Sequence, residues 1–230
     1  NFLLIMFCLS FWLNSKAQNI KYPSMDYYDN SNGLSQGTVN CIHQDRYGYM
    51  WFGTQDGLNK FDGINFKVYK HDPLDSISIS DNYIFDIEED GSGNLWIGTR
   101  GGGLSYYDIQ LDKFTTYEQD KNVPYSLSHN LVNDIELDAN GNLWIGTYGG
   151  LNKFSIKNGT FEAYYNDESN SNSISNDEIN CLFIDSKGFI WIGTMNGLNK
   201  FDPDSKLFTH YFNEKVNNNS ISSNLIRSIW

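Results

Sequence analysis

The sequence of 230 residues is poor in cysteine, proline and positive charge. It has three cysteines and four prolines, and 16 Lys and Arg residues against 28 Asp and Glu residues give a net charge of −12. This balance argues against binding to nucleic acid or to an acidic membrane surface, because both require clustered cations. No Cys/His cluster has the spacing of a metal site, so we expect neither a metal nor a cofactor.

Helical patterns are also missing. Apart from the N-terminal residues, no segment has both the length and the periodicity of a helix. The chain instead alternates runs of four to seven apolar, β-branched and aromatic residues with turns rich in Gly, Asp and Asn. This pattern predicts short strands joined by tight turns.

A motif centred on tryptophan recurs four times, at Trp51, Trp96, Trp144 and Trp191, with steps of 45, 48 and 47 residues. A fixed period of this length is typical of stacked supersecondary units. Each period predicts four strands, a to d, and such a sheet must cover both of its apolar faces. The predicted fold is therefore all-β, a β-propeller of four-stranded antiparallel blades, incomplete with four blades plus the first strand of a fifth.

The positions that the repeats share are assigned to structure. The Asp-x-x-Gly between strands a and b, as in Asp45 to Gly48, predicts a turn in which Asp bonds its own backbone and Gly takes a positive φ. The tryptophan and nearby Phe or Tyr side chains are expected to fill the space between blades. The shared residues of strand b are Trp51, Trp96, Trp144, Trp191, Gly53, Gly98, Gly146, Gly193, Thr54, Thr99, Thr147 and Thr194.

The connections from strand d to the next strand a share the pattern Ser-Ile/Leu-Ser-x-Asn/Asp, as in 78–82 and 126–130. We expect their polar groups to fix the loop and the apolar residue to point inward. Cys41 and Cys181 occupy the same place in strand a of repeats one and four, across the ring from each other. A disulfide needs Cα atoms within about 7 Å, so none is predicted.

The ends suggest a piece of a longer, exported protein. Residues 1–17 contain an apolar run of twelve residues followed by Ser15-Lys-Ala17, which fits a signal peptide whose positive start is missing. Cys8 lies in this leader. The remaining predicted segments are an N-terminal strand or lead-in at 18–32 that could close the ring, repeats at 33–77, 78–125, 126–172 and 173–219, and a fifth repeat beginning at 220–230.

The repeat over 39–62, V-x-x-I-x-x-D-x-x-G-x-x-W-x-G-T-x-x-G-L-N-x-x-D, resembles the two-component regulator propeller repeat. The resemblance covers about residues 33–230. It implies the periplasmic sensor of a Bacteroidetes-type hybrid histidine kinase, with two seven-bladed propellers, an immunoglobulin-like module and an inner-membrane helix. Kinase, receiver and DNA-binding domains of the same chain would follow. It also implies an oligosaccharide ligand, control of polysaccharide-utilisation genes and a homodimer of the whole protein.

No phosphorelay residue can be assigned within this chain. Its four histidines all lie in predicted strands or loops of the repeats: His43, His71, His129 and His210. The residues present are therefore expected to carry no enzyme activity.

The turn between strands b and c is the candidate ligand site. In a meander, b–c and d–a connections emerge on one face of the propeller, and the b–c turn varies between repeats where the a–b turn does not. Variable loops on a rigid scaffold commonly carry binding sites. The candidates are Gln55, Asp56, Arg100, Tyr148, Met195 and Asn196. Arg100 could bind a carboxylate or sulfate and Tyr148 could stack on a sugar ring; the alternative is that all six are solvated turn residues.

Two other functions stay open. One is an exported carbohydrate-binding or adhesion propeller without signalling. The other is a propeller lyase, although the motifs supply no converging His/Glu set and no nucleophile–base pair.

Overall fold

The computed structural model describes residues 26–230, which form sixteen strands in four separate sheets. Blade 1 comprises β1 (Val39–Gln44), β2 (Met50–Thr54), β3 (Gly57–Phe61) and β4 (Phe66–Tyr69). Blade 2 comprises β5 (Ile84–Glu89), β6 (Leu95–Thr99), β7 (Leu104–Asp108) and β8 (Lys113–Tyr117). Blade 3 comprises β9 (Val132–Leu137), β10 (Asn142–Thr147), β11 (Gly150–Ser155) and β12 (Thr160–Tyr164). Blade 4 comprises β13 (Ile179–Ile184), β14 (Ile190–Thr194), β15 (Gly197–Asp202) and β16 (Leu207–Tyr211).

Each blade is an antiparallel meander in which neighbouring strands follow one another in sequence. The first strands of successive blades lie side by side, β1 against β5, β5 against β9 and β9 against β13. The a strands are therefore innermost, as in a propeller, and the predicted all-β fold of four-stranded blades is confirmed.

The a–b turns have the predicted geometry. In blade 1, the Asp45 carboxylate accepts hydrogen bonds from the backbone N–H groups of Tyr47 and Tyr49, both at 3.0 Å. Gly48 has a φ of 88°, which favours glycine, and its N–H donates to the Asp45 carbonyl at 2.9 Å. The turn thus satisfies its own polar groups and holds β1 and β2 in register.

The second oxygen of this aspartate has a role that the sequence analysis missed. The Trp51 indole N–H donates to Asp45 Oδ2 at 2.8 Å. The other three blades repeat the bond at 3.0 to 3.2 Å, between the indoles and carboxylates of Trp96 and Asp90, Trp144 and Asp138, and Trp191 and Asp185. A buried indole N–H needs an acceptor, and the fixed Asp-x5-Trp spacing supplies it.

The tryptophans fill the space between blades, as predicted. The Trp51 ring lies 5.5 Å from Tyr107 of blade 2, and the Trp144 ring lies 5.6 Å from Phe201 of blade 4. Trp96 makes the same contact with Phe154, at 5.3 Å. Burial of large aromatic surfaces between sheets is therefore the main attraction between one blade and the next.

The glycine two residues after each tryptophan allows neighbouring blades to pack closely. A Cβ at Gly146 would lie 2.7 Å from Ile179 Cγ2 at the start of β13. The corresponding glycine in blade 1, Gly53, lies against the Cys41 sulfur and Ile84. Cys41 and Cys181 are both free thiols, as expected from their positions.

The d–a connections are fixed as predicted. Ser78 Oγ accepts from Asp72 N–H and donates to its carbonyl, both at 3.0 Å, and Ile79 is fully buried. The second serine of the motif anchors to its own blade: Ser128 N–H donates to buried Asn152 Oδ1 at 3.0 Å. Threonine closes the b–c turn, because Thr147 Oγ1 donates to Gly150 O at 2.8 Å.

The terminal segments differ from the expectation. The described part of the lead-in forms a single 3-10 turn, Asn30–Asn32, and no strand; Tyr28 packs on Phe61 and Phe66 of blade 1 instead. The predicted signal peptide, the start of the lead-in and Cys8 lie outside the described residues. The expected first strand of a fifth blade, at 225–229, is not formed as a strand, and no other strand within residues 26–230 pairs with it. Ile226 nevertheless packs on Gly193, as Ile179 does on Gly146.

Candidate functional site

A cavity of about 550 Å3 lies on the axial side of blades 2 to 4, where the a strands begin. In blades 2 and 3, three repeating positions line it: the residue before strand a, the second residue of strand a, and the first residue of the b–c turn; blade 4 contributes only the last two. Its lining is Tyr83, Phe85, Arg100, Leu131, Asn133, Tyr148, Asn180, Met195, Leu225 and Arg227. We call this cavity the channel mouth. Its volume is typical of small-molecule sites.

The b–c turns and d–a connections meet at this face, as the meander requires. Arg100 N–H donates to Tyr83 O at 3.0 Å, and Tyr148 N–H donates to Leu131 O at 3.2 Å. The b–c turn also bonds to the next blade, since Gly150 N–H donates to Asp177 O at 2.9 Å. Backbone bonds therefore hold the lining residues in place, while their side chains are free to differ from blade to blade.

Three of the six residues predicted for the site come together in the channel mouth: Arg100, Tyr148 and Met195. The other three do not line it. Gln55 is exposed on blade 1, and Asp56 forms an ion pair with Lys70 at 2.6 Å. The Asn196 amide oxygen accepts a hydrogen bond from Asn224 at 3.3 Å, within the same loop layer.

A β-bulge in each blade supplies lining residues that the sequence analysis missed. The register of strand a against strand b skips one residue, namely Asn40, Phe85, Asn133 and Asn180 in the four blades. Bulges re-aim side chains, and the last three of these residues line the channel mouth. The sequence signal is weak, because the bulged position is Phe in one blade and Asn in the others.

The bulge asparagines also connect neighbouring blades. Asn133 Nδ2 donates to Ile179 O of blade 4 at 2.6 Å, and Asn180 Nδ2 donates to Ile226 O at 2.9 Å. Asn40 makes the same contact with Ile84 O at 2.7 Å. The amide oxygens of these side chains remain as acceptors for a ligand, so one residue type serves both the scaffold and the cavity.

Aromatic side chains shape the blade 2 side of the cavity. The Tyr83 and Phe85 rings lie 4.9 Å apart, and the Arg100 guanidinium lies 5.0 Å from the Tyr83 ring centre. Stacking on an aromatic face orients a guanidinium and leaves its N–H edge free for an anion. Tyr148, in the next blade, is 41% exposed and offers a second ring.

The residue that follows the bulge in strand a carries a carboxyl group in blades 2 and 3, at Asp86 and Asp134. Asp86 Oδ2 accepts from Ile135 N–H at 2.9 Å, and Asp134 Oδ2 accepts from Leu182 N–H at 2.6 Å, so each carboxyl bonds the next blade. Burial raises the pKa of both groups, and the mutual repulsion of the pair raises it further for Asp134.

Two glutamates, Glu88 and Glu136, form a row with these two carboxyl groups. Burial, with repulsion from Glu136, raises the pKa of Glu88 to about 7. Burial, with repulsion from Asp86, raises the pKa of Glu136 to about 7. Within residues 26–230, no group of His, Cys, Asp and Glu side chains is arranged to hold a metal ion.

A second large cavity, of about 590 Å3, opens between blades 3 and 4 on the opposite face. Its walls are the a–b and c–d turns, including Asp138 and Asp185. The carboxylates of both residues are already used to bond turn backbone and indole groups. The channel mouth is the better candidate site, because its side chains are not needed to form turns.

A family model described as "Two component regulator propeller" matches residues 33–56, 78–101, 126–149 and 173–196. Each match runs from the d–a connection through strands a and b into the b–c turn. The matched segments thus contain every position that lines the channel mouth of blades 2 to 4.

Two of the known proteins that are similar to this chain belong to signalling systems. A stretch of 80 residues, 34% of this chain, is 46% identical to Histidine kinase P4 of Formosa agariphila and covers 6% of that protein. The extracellular domain of BT3049, a hybrid two-component system of B. thetaiotaomicron, matches 89% of this chain with 25% identity and a TM-score of 0.60. This chain spans 39% of that domain.

A likeness to an enzyme is confined to the fold. The virginiamycin B lyase of Staphylococcus aureus matches 80% of this chain with a TM-score of 0.59, but with 15% identity. Among residues 26–230, no helix has the length and apolar character required to cross a bilayer.

Proposed function

The chain belongs to the two-component regulator propeller family, and from this premise we propose that it is the ligand-binding part of an exported sensor that binds an oligosaccharide at the channel mouth. The sensor would belong to a hybrid histidine kinase anchored in the inner membrane, with its propeller in the periplasm. Kinase domains of the same chain, in a dimeric whole protein, would then control polysaccharide-utilisation genes.

The observation that carries this proposal is the composition of the channel mouth. Two of its side chains, Tyr148 and Met195, are partly exposed, although the backbone N–H of each residue is bonded to a carbonyl of the preceding d–a connection. Aromatic faces and amide oxygens are the groups that contact the apolar face and the hydroxyls of a sugar. Three blades contribute to one cavity, so a ligand of several sugar units would contact all three.

Signalling requires that ligand binding favours one arrangement of the blades over another. Asn133 offers such a link, because it lies in the cavity and also bonds the backbone of blade 4, and Asn180 bonds Ile226, after blade 4, in the same way. A ligand that bonds the free amide oxygen of Asn133 would stabilise the ligand-bound spacing of blades 3 and 4.

Isothermal titration calorimetry with a panel of oligosaccharides of about four units tests the proposal. We expect one or more to bind, and Tyr148→Ala to weaken that binding about tenfold. Tyr47→Ala is the matched control, because Tyr47 is an exposed tyrosine at an a–b turn on the opposite face. Equal effects of the two substitutions would rule out the channel mouth as the binding site.

Chromatography of the sugars after incubation separates a sensor from an enzyme. The sensor returns each oligosaccharide unchanged. Any new product that accumulates in proportion to protein concentration would favour the lyase alternative.

A further inference from the structure

The distribution of arginine identifies a chemical class of ligand. The chain has three arginines, and two of them, Arg100 and Arg227, line the channel mouth. The third, Arg46, donates to the Glu89 carboxylate and to the carbonyls of Asp90 and Gly91, at 2.6 and 2.9 Å. Arg46 therefore ties blade 1 to blade 2, whereas the other two face the cavity.

The channel mouth contains no carboxylate among its lining residues, although the chain carries 28 Asp and Glu. The carboxyl pair Asp86 and Asp134 is directed at the backbone of the next blade rather than at the cavity. Asp81, near the rim, bonds the Tyr83 N–H. The cavity is thus a positive site on a strongly negative protein.

The two arginines of the channel mouth have no ionic partner among residues 26–230. Arg100 stacks on Tyr83, and the Arg227 backbone is fixed by its neighbour Ile226, whose N–H donates to Thr194 O at 3.1 Å. An arginine in this state presents a planar pair of donors that matches a carboxylate or a sulfate.

We propose that the channel mouth selects acidic oligosaccharides, with Arg100 and Arg227 binding carboxylate or sulfate ester groups on different sugar units and Tyr148 stacking between them. This inference rests on the proposed function. It adds that charge, and not only sugar shape, decides which oligosaccharide is bound.

The three arginines allow a direct test by NMR. An Nε–Hε correlation spectrum of the chain should contain three arginine side-chain signals, which Arg→Gln substitutions assign. Tetragalacturonate supplies carboxylates and a κ-carrageenan tetrasaccharide supplies sulfate esters. Fully methyl-esterified tetragalacturonate and the desulfated carrageenan sugar are the matched neutral probes. Free glucuronate and inorganic sulfate test whether the arginines bind the anionic group alone, without a sugar chain.

We expect a charged probe to shift the signals of Arg100 and Arg227 and to leave Arg46 unchanged. The charged tetrasaccharide should bind at least about tenfold more tightly than its neutral partner, and salt should weaken the difference. Arg100→Gln and Arg227→Gln should each remove most of this preference. Lys157→Gln removes one exposed positive charge on the opposite face, and this variant should keep the preference for the charged tetrasaccharide.

The results distinguish this inference from the proposed function. Equal binding of a neutral sugar and its charged partner, with no arginine shift, overturns the inference and leaves oligosaccharide sensing in place. A preference for the charged tetrasaccharide that survives both Arg100→Gln and Arg227→Gln overturns it as well. If no charged probe moves either signal at its highest soluble concentration, the acidic site is wrong whatever the neutral sugars do.

Discussion

The row of buried carboxyl groups predicts that this propeller loses stability as the pH rises through neutrality. Glu88 and Glu136 have a pKa of about 7 in the folded chain, against an ordinary value of 4.5. Between these two values the folded chain retains protons that the unfolded chain has released. Stability is therefore highest near the lower value and is lost as the pH rises to about 7.

The size of this loss of stability follows from the rise in the pKa values of the two glutamates. A change from 4.5 to about 7 corresponds to about 3 kcal/mol for each glutamate. Both side chains are half-buried, and water reduces the repulsion between them, so we expect about 1–2 kcal/mol from each. The pair Asp86 and Asp134 acts in the same direction, because its pKa is also raised by burial.

Urea unfolding followed by tryptophan fluorescence measures this free energy between pH 5 and pH 8. We expect the free energy of unfolding of the native sequence to fall across this range. The variant with Glu88→Gln and Glu136→Gln should show a smaller fall and should be the more stable protein at pH 8. Glu118→Gln, an exposed glutamate, is the control and should follow the native curve.

Two results would refute the reasoning. One is a free energy of unfolding that stays level or rises from pH 5 to pH 8. The other is a double variant with the same dependence on pH as the native sequence, since the two glutamates would then not be the groups that titrate.

The remaining predictions concern the blade interface and the cavity. Asp138→Ala should destabilise the chain by about 1–3 kcal/mol in urea unfolding, because it leaves the buried Trp144 N–H without an acceptor, whereas Asp138→Asn should recover part of the loss. Gly146→Ala should cost about 1–3 kcal/mol, since its Cβ would lie 2.7 Å from Ile179, and Gly91→Ala, where a Cβ meets nothing within 4 Å, should cost little. Tyr148→Ala should leave the melting temperature within about 2 °C while weakening oligosaccharide binding; a large loss of stability would place Tyr148 in the scaffold instead.

The scaffold was predictable because local rules determine it. The a–b turn needs only Asp45 and Gly48, which lie within four residues of each other, and their hydrogen bonds can be read from the sequence. The packing of the tryptophans follows from a period that requires every blade to cover its neighbour. Even the missed bond from Trp51 to Asp45 has a constant spacing, so it could have been found by asking where each buried indole N–H is satisfied.

The candidate site was predictable only in part, because three of its ten lining residues are placed there by the pairing between strands. Arg100, Tyr148 and Met195 were found because their turn varies and the meander places it on one face. Phe85 and Asn133 were missed because a bulge, and not the alternation of the strand, directs them into the cavity. A bulge is defined by the register against strand b, which composition does not reveal.

The bulge also explains how one surface can carry both a binding site and a mechanical link. A regular strand a would point alternate side chains into the two blade interfaces and leave none for the axis. One extra residue frees a side chain at the channel mouth without disturbing the next position, where Asp134 bonds Leu182 of the following blade. Ligand contacts and contacts between blades therefore lie on adjacent residues of the same strand. A ligand that orders the bulge at Asn133 must also act on the bond from Asn133 to Ile179, and so on the spacing of blades 3 and 4.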